Sequence, residues 1–394
     1  MAAESKGRQR YVVVGGGVAG VSCAEELARL SPESQVTVVS DSPLIKAATN
    51  VVQQSRVLET FDVEQKQGSY LEQRYGNVTV LAAHVTSLIH KEKVVETSDG
   101  RRIPYDKVCI CTGAKPKLIA EGHPRVIGIR DTESVEDFQR KLEDARRIVV
   151  VGNGGIATEL VYEVKGCQVV WVIRHTAICH TFVDEGAAVF FLPHLHDDSG
   201  CHGDTAELRK RTKYVCEGVG EGREERGEGE KERIGSALGP DWHTGRQMKG
   251  RNEGPTHVQV EYEVEVKEIL TASQVKSRGL QPSKIGPRPP EEPQLGYQWP
   301  IFVALTNGKV FGCDLVVSAT GVFPNTTCLT SSAGQTEVEL SEEGGVVVDN
   351  QMRTSLSHVY AAGDVCTARW THSQLWFQGM KKSALTSVSS CLPM

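Results

Sequence analysis

The sequence predicts an α/β fold built from two domains of the same kind, and three observations support this prediction. The first is a strand, the glycine-rich turn GGGVAG and a helix, which follow one another over 10–30. The second is a copy of this unit over 147–164, with the turn GNGGIA. The third is a further β-branched strand after each helix, at 35–40 and 168–173, so that each copy is a βαβ unit.

The other predicted elements are short, and most are strands. The turn at Asn307-Gly308, between two apolar segments, is typical of a β-hairpin. Polar and apolar residues alternate over 257–270, which predicts one strand with one buried face, and the Pro-rich segment 273–300 is predicted as loop. The remaining predicted strands are 77–81, 84–90, 93–97, 107–111, 301–305, 309–311, 314–319 and 358–361.

The composition excludes two classes of partner. The chain has 394 residues with 44 basic and 50 acidic side chains, a formal net charge of −6. It therefore has no overall positive field that would hold nucleic acid or an anionic membrane. The first ten residues are polar, and no apolar run reaches the roughly 18 residues of a membrane span. We expect no nucleic acid or membrane partner, and a cytoplasmic protein with access to the nucleus.

One segment differs in composition from the rest of the chain. From about 200 to 254 the sequence is rich in Glu, Arg, Lys and Gly, as in EGVGEGREERGEGEKER, and has few apolar residues. Such a segment cannot bury enough apolar surface to order itself. We expect a disordered or surface insertion there, which could serve as a contact surface for a protein partner.

The spacing of the glycines indicates nucleotide binding. In a turn between strand and helix, the first glycine permits the tight turn, the second lets the backbone approach a pyrophosphate, and the third lets the helix pack closely. The phosphates then lie against the N–H groups at the positive end of the helix. These positions are Gly15, Gly17 and Gly20 in the first unit and Gly152, Gly154 and Ala157 in the second. The sequence thus predicts two Rossmann-like three-layer nucleotide-binding domains.

Five motifs in a fixed order extend this interpretation. They are GGGVAG at 15–20, CTGAKPK at 111–117, GNGGIATE at 152–159, SATGVFPN at 318–325 and VYAAGDV at 359–365. In this order the chain resembles the class I, FAD-dependent pyridine nucleotide-disulphide oxidoreductase family. The resemblance covers about residues 10 to 376, apart from the charged segment.

The resemblance implies FAD on the first unit and NAD(P)H as co-substrate on the second. It also implies that the NAD(P) domain, 132–310, is inserted in an FAD domain made of 8–131 and 311–376. The tail, 377–394, is Ser-rich and non-periodic. We expect it to be atypical, with the family's C-terminal domain absent.

Cofactor-binding positions follow from the resemblance residue by residue. For FAD it implies the first glycine turn and an aspartate at the ribityl chain, with the following backbone N–H near the pyrophosphate. For the nicotinamide nucleotide it implies the second turn. Thr112-Gly113 and Thr320-Gly321 are implied as the crossing points between the domains, close to the cofactors. The implied residues are Gly15, Gly16, Gly17, Ala19, Gly20, Thr112, Gly113, Gly363, Asp364, Val365, Gly152, Gly154, Ala157 and Gly321.

Ribose recognition departs from the usual pattern in both units. The strand after such a glycine turn normally ends in an acid that accepts from the ribose hydroxyls. In the first unit this position is Ser40, and Asp41 beside it takes the ribose role in our interpretation. In the second unit it is Ile173, followed by Arg174 and His175. The loss of an acid and the gain of a cation make NADPH as acceptable as NADH.

The family's disulphide reductases carry a dithiol that this sequence lacks at the corresponding places. The segment 42–56 contains no cysteine, and the sequence contains no CxxC motif. The resemblance instead places Lys46 beneath the flavin and pairs it with Glu159 near flavin N5. A lysine there can stabilise negative charge on the reduced flavin while the carboxylate keeps it ionised. An ordinary interdomain salt bridge is the alternative interpretation.

The cysteines are interpreted mainly as structural. Cys109 and Cys111 lie on one face of a predicted buried strand, where free cysteine is normally a small core hydrophobe. The cluster HLHDDSGCHGD at 194–204 fits no zinc spacing, so no metal is predicted.

Three functions remain open at this point. The first is an FAD enzyme that takes hydride from NAD(P)H and passes electrons to oxygen, a quinone-like acceptor or another protein. The second is a binding protein whose partner choice follows its redox state, with little turnover. The third is a disulphide reductase that uses a remote thiol such as Cys366 or Cys391.

Overall fold

The computed structural model describes residues 8–53, 59–130, 132–180, 185–190, 192–195, 247–252, 256–285, 298–329 and 338–369. These residues fall into two compact units. Unit 1 contains the described residues of 1–115 and 323–394, and unit 2 those of 116–213 and 237–322. This division follows from packing alone. The predicted limits of the FAD and NAD(P) domains, at 131 and 310, therefore stay a prediction. None of the helices in these ranges is both long and apolar enough to span a membrane.

Strands outnumber helices along the described chain. Up to residue 143 the elements are β1 (Arg10–Val14), α1 (Val18–Leu30), β2 (Gln35–Ser40), β3 (Leu44–Gln53), β4 (Glu59–Gln67), α2 (Ser69–Arg74), β5 (Val78–Ala82), β6 (Val85–Ile89), a 3-10 turn (His90–Glu92), β7 (Val94–Thr97), β8 (Arg102–Pro104), β9 (Lys107–Ile110), β10 (Ala114–Pro116), β11 (Val126–Gly128) and α3 (Thr132–Glu143). From residue 147 they are β12 (Arg147–Val151), α4 (Gly155–Glu163), β13 (Gln168–Val172), α5 (Glu185–Val189), a 3-10 turn (Leu192–Leu195), β14 (His257–Glu261), β15 (Val266–Leu270), α6 (Ala272–Ser277), β16 (Ile301–Leu305), β17 (Val310–Cys313), β18 (Leu315–Ser318), β19 (Val322–Pro324), a 3-10 turn (Thr327–Leu329), β20 (Val346–Val348), β21 (Val359–Ala361) and β22 (Cys366–Ala368).

Unit 1 has three layers around a five-stranded parallel sheet. The strand order is β21-β9-β1-β2-β5. Because successive side chains of a strand point to opposite faces, β1 serves two cores: Val13 packs with Leu27 of α1, and Val12 packs with Val95 of β7. The second core lies under the antiparallel sheet β6-β7-β8.

Unit 2 repeats this architecture. Its parallel sheet has the order β11-β18-β12-β13-β14. Along β12, Val150 packs on the side of α3 and α4 with Phe138 and Leu160. Val149 packs on the other side with Val303 of the antiparallel sheet β15-β16-β17. The predicted α/β fold with two Rossmann-like three-layer units is therefore confirmed.

The glycine turns after β1 and β12 each run against the end of a neighbouring strand. Gly15 has φ +121°, and a Cβ atom there would lie 2.2 Å from the carbonyl oxygen of Cys111. Gly152 has φ +130°, and a Cβ atom would lie 2.2 Å from the carbonyl oxygen of Ala319. Glycine is therefore required at both positions, for the conformation and for the space.

The prediction of one strand over 257–270 is wrong. Those residues form β14 and β15, which belong to different sheets. The chain bends between them at Glu263, whose φ is +55°, and the Ile173 N–H donates to Glu261 O while the Val264 N–H donates to Ile173 O. Strands on either side of such a bend show the same alternation, so the pattern alone did not reveal the break.

Two predicted loop segments contain ordered structure. Within the predicted insertion at about 200–254, residues 200–246 lie outside the described residues, and a partner surface there stays a prediction. Residues 247–252 are packed, because Met248 is buried in the core of unit 2 and its carbonyl accepts from the Lys165 N–H at 2.8 Å. Within 273–300, α6 begins with a capping box formed by Thr271 and Gln274.

A matched pair of substitutions tests the close approach in unit 2. Gly152→Ala should lower the free energy of unfolding by about 2–4 kcal/mol, because the cost of a strained backbone conformation adds to the cost of the clash with Ala319. Gly154→Ala is the control, since a Cβ atom there meets nothing within 4 Å, and it should cost less than about 1 kcal/mol. Thermal and denaturant unfolding followed by circular dichroism measure the stability of both variants. Equal losses of stability would contradict the requirement for glycine at Gly152.

Candidate functional site

The first candidate site lies at the carboxyl edge of the parallel sheet of unit 1. The loops that leave β1, β9 and β21 are held side by side there: the Cys111 N–H donates to Val14 O at 2.7 Å, and the Ala362 N–H donates to Ile110 O at 2.9 Å. β1 lies between β9 and β2, so the connections diverge on its two sides. Ligands of open α/β sheets bind at this kind of position.

The first glycine turn leaves an open cradle at the start of α1. Gly17 is the N-cap residue, and a Cβ atom there would meet nothing within 4 Å. No side chain caps this end of α1, and its first turn contains no acidic residue. The N–H groups of the first turn therefore offer an uncompensated positive end that suits a phosphate.

The other residues of this turn serve packing. A Cβ atom on Gly16 would lie 2.4 Å from Ser40 Oγ, and one on Gly20 would lie 1.9 Å from Gly15 O. Ala19 is buried against the sheet. These contacts hold the turn and the start of α1 against β1 and β2, which fixes the position of the cradle.

The segment Gly363-Asp364 reaches the same end of α1. Gly363 has φ +83°, and a Cβ atom there would lie 2.9 Å from the Cβ of Ala19. This close approach brings Asp364, which is half-buried, to the start of α1. Val365 is fully buried, and its carbonyl accepts from the Val346 N–H at 2.8 Å. The structure thus brings this predicted segment together with the first glycine turn.

The loop after β9 is fixed by a residue that the motif analysis did not single out. Thr112 Oγ1 donates to the carbonyl of Asn325 at 2.6 Å, and the Asn325 N–H donates to Gly113 O at 2.8 Å. Asn325 ends the motif SATGVFPN, but its backbone makes both of these contacts, so its side chain gave no local signal for them. It holds Thr112 and Gly113 at the carboxyl edge.

The end of β2 separates a buried hydroxyl from an exposed carboxylate. Ser40 is buried beneath Gly16. Asp41 is 76% exposed, and its Oδ2 lies 3.1 Å from Nδ1 of His84. Asp41 is therefore accessible at the edge where a ribose hydroxyl would need an acceptor, and its ribose role stays a prediction.

Lys46 lies on the hairpin formed by β3 and β4. Its N–H donates to Gly16 O at 2.8 Å, which ties the hairpin to the first glycine turn. Ile45 and Ala47 on either side are buried in the core with α1. Because side chains alternate along a strand, Lys46 lies on the opposite face of the hairpin from this core.

The second candidate site lies at the carboxyl edge of the sheet of unit 2. Gly154 is the N-cap of α4 and leaves an open cradle like that of Gly17, again with no acidic residue in the first turn. Ala157 takes the place of the third glycine and is fully buried. Gly321 follows β18 with φ +106° and open space at its Cβ position, and its carbonyl accepts from the Lys117 N–H at 2.9 Å.

Asn153, inside the second glycine turn, organises the loop that follows β13. It is buried, and its Nδ2 donates to Ala177 O at 2.8 Å while its Oδ1 accepts from the Cys179 N–H at 2.7 Å. Nδ2 also lies 3.2 Å from Nδ1 of His175. The glycine motif alone predicts only a turn position for Asn153, because these contacts are made more than twenty residues away.

The loop after β13 carries three cationic or titratable side chains. Ile173 is buried in the core, whereas Arg174, the next residue, is exposed. The rings of His175 and His180 stack with their centroids 4.4 Å apart. Burial, the neighbouring His180 and Arg174 lower the pKa of His175 below its ordinary value, so its ring is neutral at neutral pH.

Glu159 lies half-buried on α4, between the buried Leu160 and the partly buried Thr158. It belongs to unit 2, whereas Lys46 belongs to unit 1. The pairing of Lys46 with Glu159 therefore stays a prediction.

Cys111 and Cys366 are poorly suited to act as nucleophiles. Cys109 and Cys111 are buried with their Sγ atoms 3.6 Å apart, and hydrogen bonding with Cys109 and Cys23, together with burial, raises the pKa of Cys111. Burial also raises the pKa of Cys366, which disfavours its use as a remote thiolate, and Cys391 lies outside the described residues. Among the described residues, no group of three His, Cys, Asp or Glu side chains could hold a metal ion.

Curated relatives that share one name match most of this sequence. A mouse protein named pyridine nucleotide-disulfide oxidoreductase domain-containing protein 1 is 46% identical over 370 residues, which cover 93% of this chain and 72% of the relative. The protein of the same name from Dictyostelium discoideum is 36% identical over 398 residues, which cover 94% and 72%.

Solved structures share the fold at low identity. The water-forming NADH oxidase from Lactobacillus brevis bound to NADH matches with a TM-score of 0.62 and 14% identity, covering 98% of this chain and 69% of that one. The covalent putidaredoxin reductase–putidaredoxin complex matches with a TM-score of 0.59 and 16% identity, covering 97% and 75%.

A family model agrees with these matches. The model described as pyridine nucleotide-disulphide oxidoreductase matches residues 9–202 and 261–386. The interval between the two matched ranges falls on the charged segment. The chain belongs to the pyridine nucleotide-disulphide oxidoreductase family.

Proposed function

We propose that this protein is an FAD-dependent oxidoreductase that takes hydride from NAD(P)H to the flavin and passes the electrons to a separate acceptor. One observation carries the proposal: each unit has an open N-cap glycine, Gly17 or Gly154, at an uncapped helix start on the carboxyl edge of its parallel sheet. Two such cradles in one chain of this family suit two dinucleotides.

The residues of the first site fit FAD. The N–H groups after Gly17 suit its pyrophosphate, and the half-buried Asp364 suits sugar hydroxyls, because an ionised acceptor makes strong hydrogen bonds. Asp41 is accessible for the adenosine ribose. When bound, FAD supplies a ring that accepts hydride and can release electrons singly or in pairs.

The second site fits a nicotinamide nucleotide, with Gly152, Gly154 and Ala157 around the pyrophosphate. At the end of β13, the usual acid is replaced by the buried Ile173, and the exposed Arg174 follows it. A guanidinium there attracts a 2′-phosphate instead of repelling it. We propose that NADPH is accepted at least as well as NADH.

Lys46 and Glu159 are the proposed residues at the reacting end of the site. The charge of Lys46 would stabilise negative charge on the reduced flavin, and Glu159 would keep the lysine ionised and oriented. Thiol chemistry is disfavoured, since 42–56 contains no cysteine and the thiols of the buried Cys111 and the half-buried Cys366 have a raised pKa. We propose that the electrons leave to oxygen, a quinone-like acceptor or another protein.

The purified chain should contain non-covalent FAD, with visible absorption that NADPH bleaches under anaerobic conditions. Gly17→Glu should weaken FAD binding by about 100-fold or more, because a carboxylate beside the pyrophosphate costs several kcal/mol. The open space at Gly17 lets the variant fold, and Gly17→Ala controls for the added side chain. Flavin content is measured by absorbance after gel filtration, and full occupancy in Gly17→Glu would overturn the assignment.

Arg174→Ala tests the 2′-phosphate contact. Because Ile173 is buried in the core, Arg174 is changed alone. Loss of charge-assisted hydrogen bonds worth about 1–3 kcal/mol should lower kcat/KM for NADPH by about 5- to 150-fold and leave the value for NADH nearly unchanged. Arg140→Ala, an exposed arginine on α3, is the control. An unchanged ratio of the two kcat/KM values would remove Arg174 from the site.

Lys46→Met deletes the charge and keeps most of the side-chain volume. Flavin should stay bound, while the anaerobic rate of flavin reduction by NADPH should fall by about 10- to 1,000-fold, the effect of about 1.4–4 kcal/mol of lost charge stabilisation. Glu159→Gln should be milder, because the lysine remains.

Lys66→Met is the matched control for Lys46→Met. Lys66 lies on the same hairpin but on its other face, paired with Glu64 at 2.6 Å. Stopped-flow absorbance measures all three variants. If Lys46→Met reduces its flavin as fast as the parent, the lysine is structural.

A further inference from the structure

Gln65 is the direct cross-strand partner of Lys46. In the antiparallel register of β3 and β4, Lys46 lies opposite Gln65, and Ala47 lies opposite Glu64. Directly opposed residues share a face of the hairpin, so Gln65 lies on the face of Lys46, away from the core that holds Ile45 and Ala47. Because the backbone N–H of Lys46 donates to Gly16 O, the edge of β3 at Lys46 adjoins the first glycine turn.

The amide nitrogen of Gln65 is buried and has no hydrogen-bond partner among the described residues. The other face of the hairpin behaves differently: Thr49 Oγ1 donates to Glu64 at 2.9 Å, and Lys66 pairs with the same carboxylate at 2.6 Å. Buried polar groups in folded proteins nearly always have a partner, and an exception calls for an explanation such as a bound water, an ion or a catalytic role. The contrast between the two faces identifies Gln65 as a group that requires an acceptor.

We propose that Gln65 Nε2 donates a hydrogen bond to an acceptor atom of the flavin ring of bound FAD, which makes Gln65 a positioning and binding residue beside Lys46. This inference rests on the proposed function. A neutral amide suits a neutral carbonyl oxygen or ring nitrogen, whereas the anionic pyrophosphate is better served by the helix N–H groups after Gly17. Lys46 would then provide a positive charge, and Gln65 would orient the flavin ring through a directional hydrogen bond.

Two variants of Gln65 and one control test the proposal. Gln65→Met keeps the length of the side chain and removes the donor, and Gln65→Glu keeps an acceptor and replaces the donor with negative charge. The control is Gln67→Met, an exposed residue two positions further along the same face of β4.

The readouts are the dissociation constant of FAD, the visible spectrum of the bound flavin and its midpoint potential. Gln65→Met should weaken FAD binding by about 5- to 30-fold, the effect of one lost hydrogen bond to a desolvated acceptor, and should shift the flavin absorption bands. Gln65→Glu should weaken binding further and lower the midpoint potential, because negative charge disfavours the reduced flavin. Gln67→Met should match the parent in all three.

The stability of the apoprotein separates a ligand contact from a structural one. Without FAD, Gln65→Met should melt at the temperature of the parent or higher, because it removes a buried donor that has no partner in the described part of the chain. If Gln65→Met binds FAD and absorbs light as Gln67→Met does, the proposed role of Gln65 is overturned. In that case the proposed function still stands as long as the unchanged protein carries FAD. A parent that binds no FAD would overturn both. If Gln65→Met fails to fold, Gln65→Glu decides by the same readouts.

Discussion

The backbone of each glycine-rich turn passes so close to a neighbouring strand that no side chain fits between them. A Cβ atom on Gly15 would lie 2.2 Å from Cys111 O, and one on Gly152 would lie 2.2 Å from Ala319 O. This contact fixes where α1 and α4 begin relative to their sheets, and therefore where the open N-cap glycines lie. The loops after β9 and β18 are held by the same contact, so both candidate sites depend on it.

Much of this arrangement could be predicted from the sequence because its causes are local. A β-branched strand that runs directly into a glycine turn and a helix has few alternative structures, and β1, β12 and both turns appear as expected. The buried state of Cys109 and Cys111 is also confirmed, since a continuous apolar run predicts a strand covered on both faces. The sequence pattern within about 30 residues was therefore sufficient to predict these elements.

The features that were missed depend on contacts between distant residues. Asn153 bonds to the loop at 177–179 and Asn325 to the loop after β9, and no local pattern distinguishes such an asparagine from one in a turn. The alternation over 257–270 is the same whether one strand or two produce it, and the bend at Glu263 lies between two residues, Glu261 and Val264, that bond to Ile173. For the same reason, the burial of Ile173 and the exposure of Arg174 required the structure.

The two faces of the β3–β4 hairpin have different polar chemistry, and this difference bears on mechanism. On the face toward α1, Ile45 and Ala47 are buried in the core, and the Glu64 carboxylate has its partners within the hairpin. The face of Lys46 carries a buried amide nitrogen that has no partner among the described residues, which costs stability unless a ligand accepts from it. The thiols of the buried Cys111 and the half-buried Cys366, by contrast, have a raised pKa and are therefore protonated. A chain with this unsatisfied donor and with protonated thiols is better suited to stabilising charge on a bound ring than to covalent attack on a disulphide.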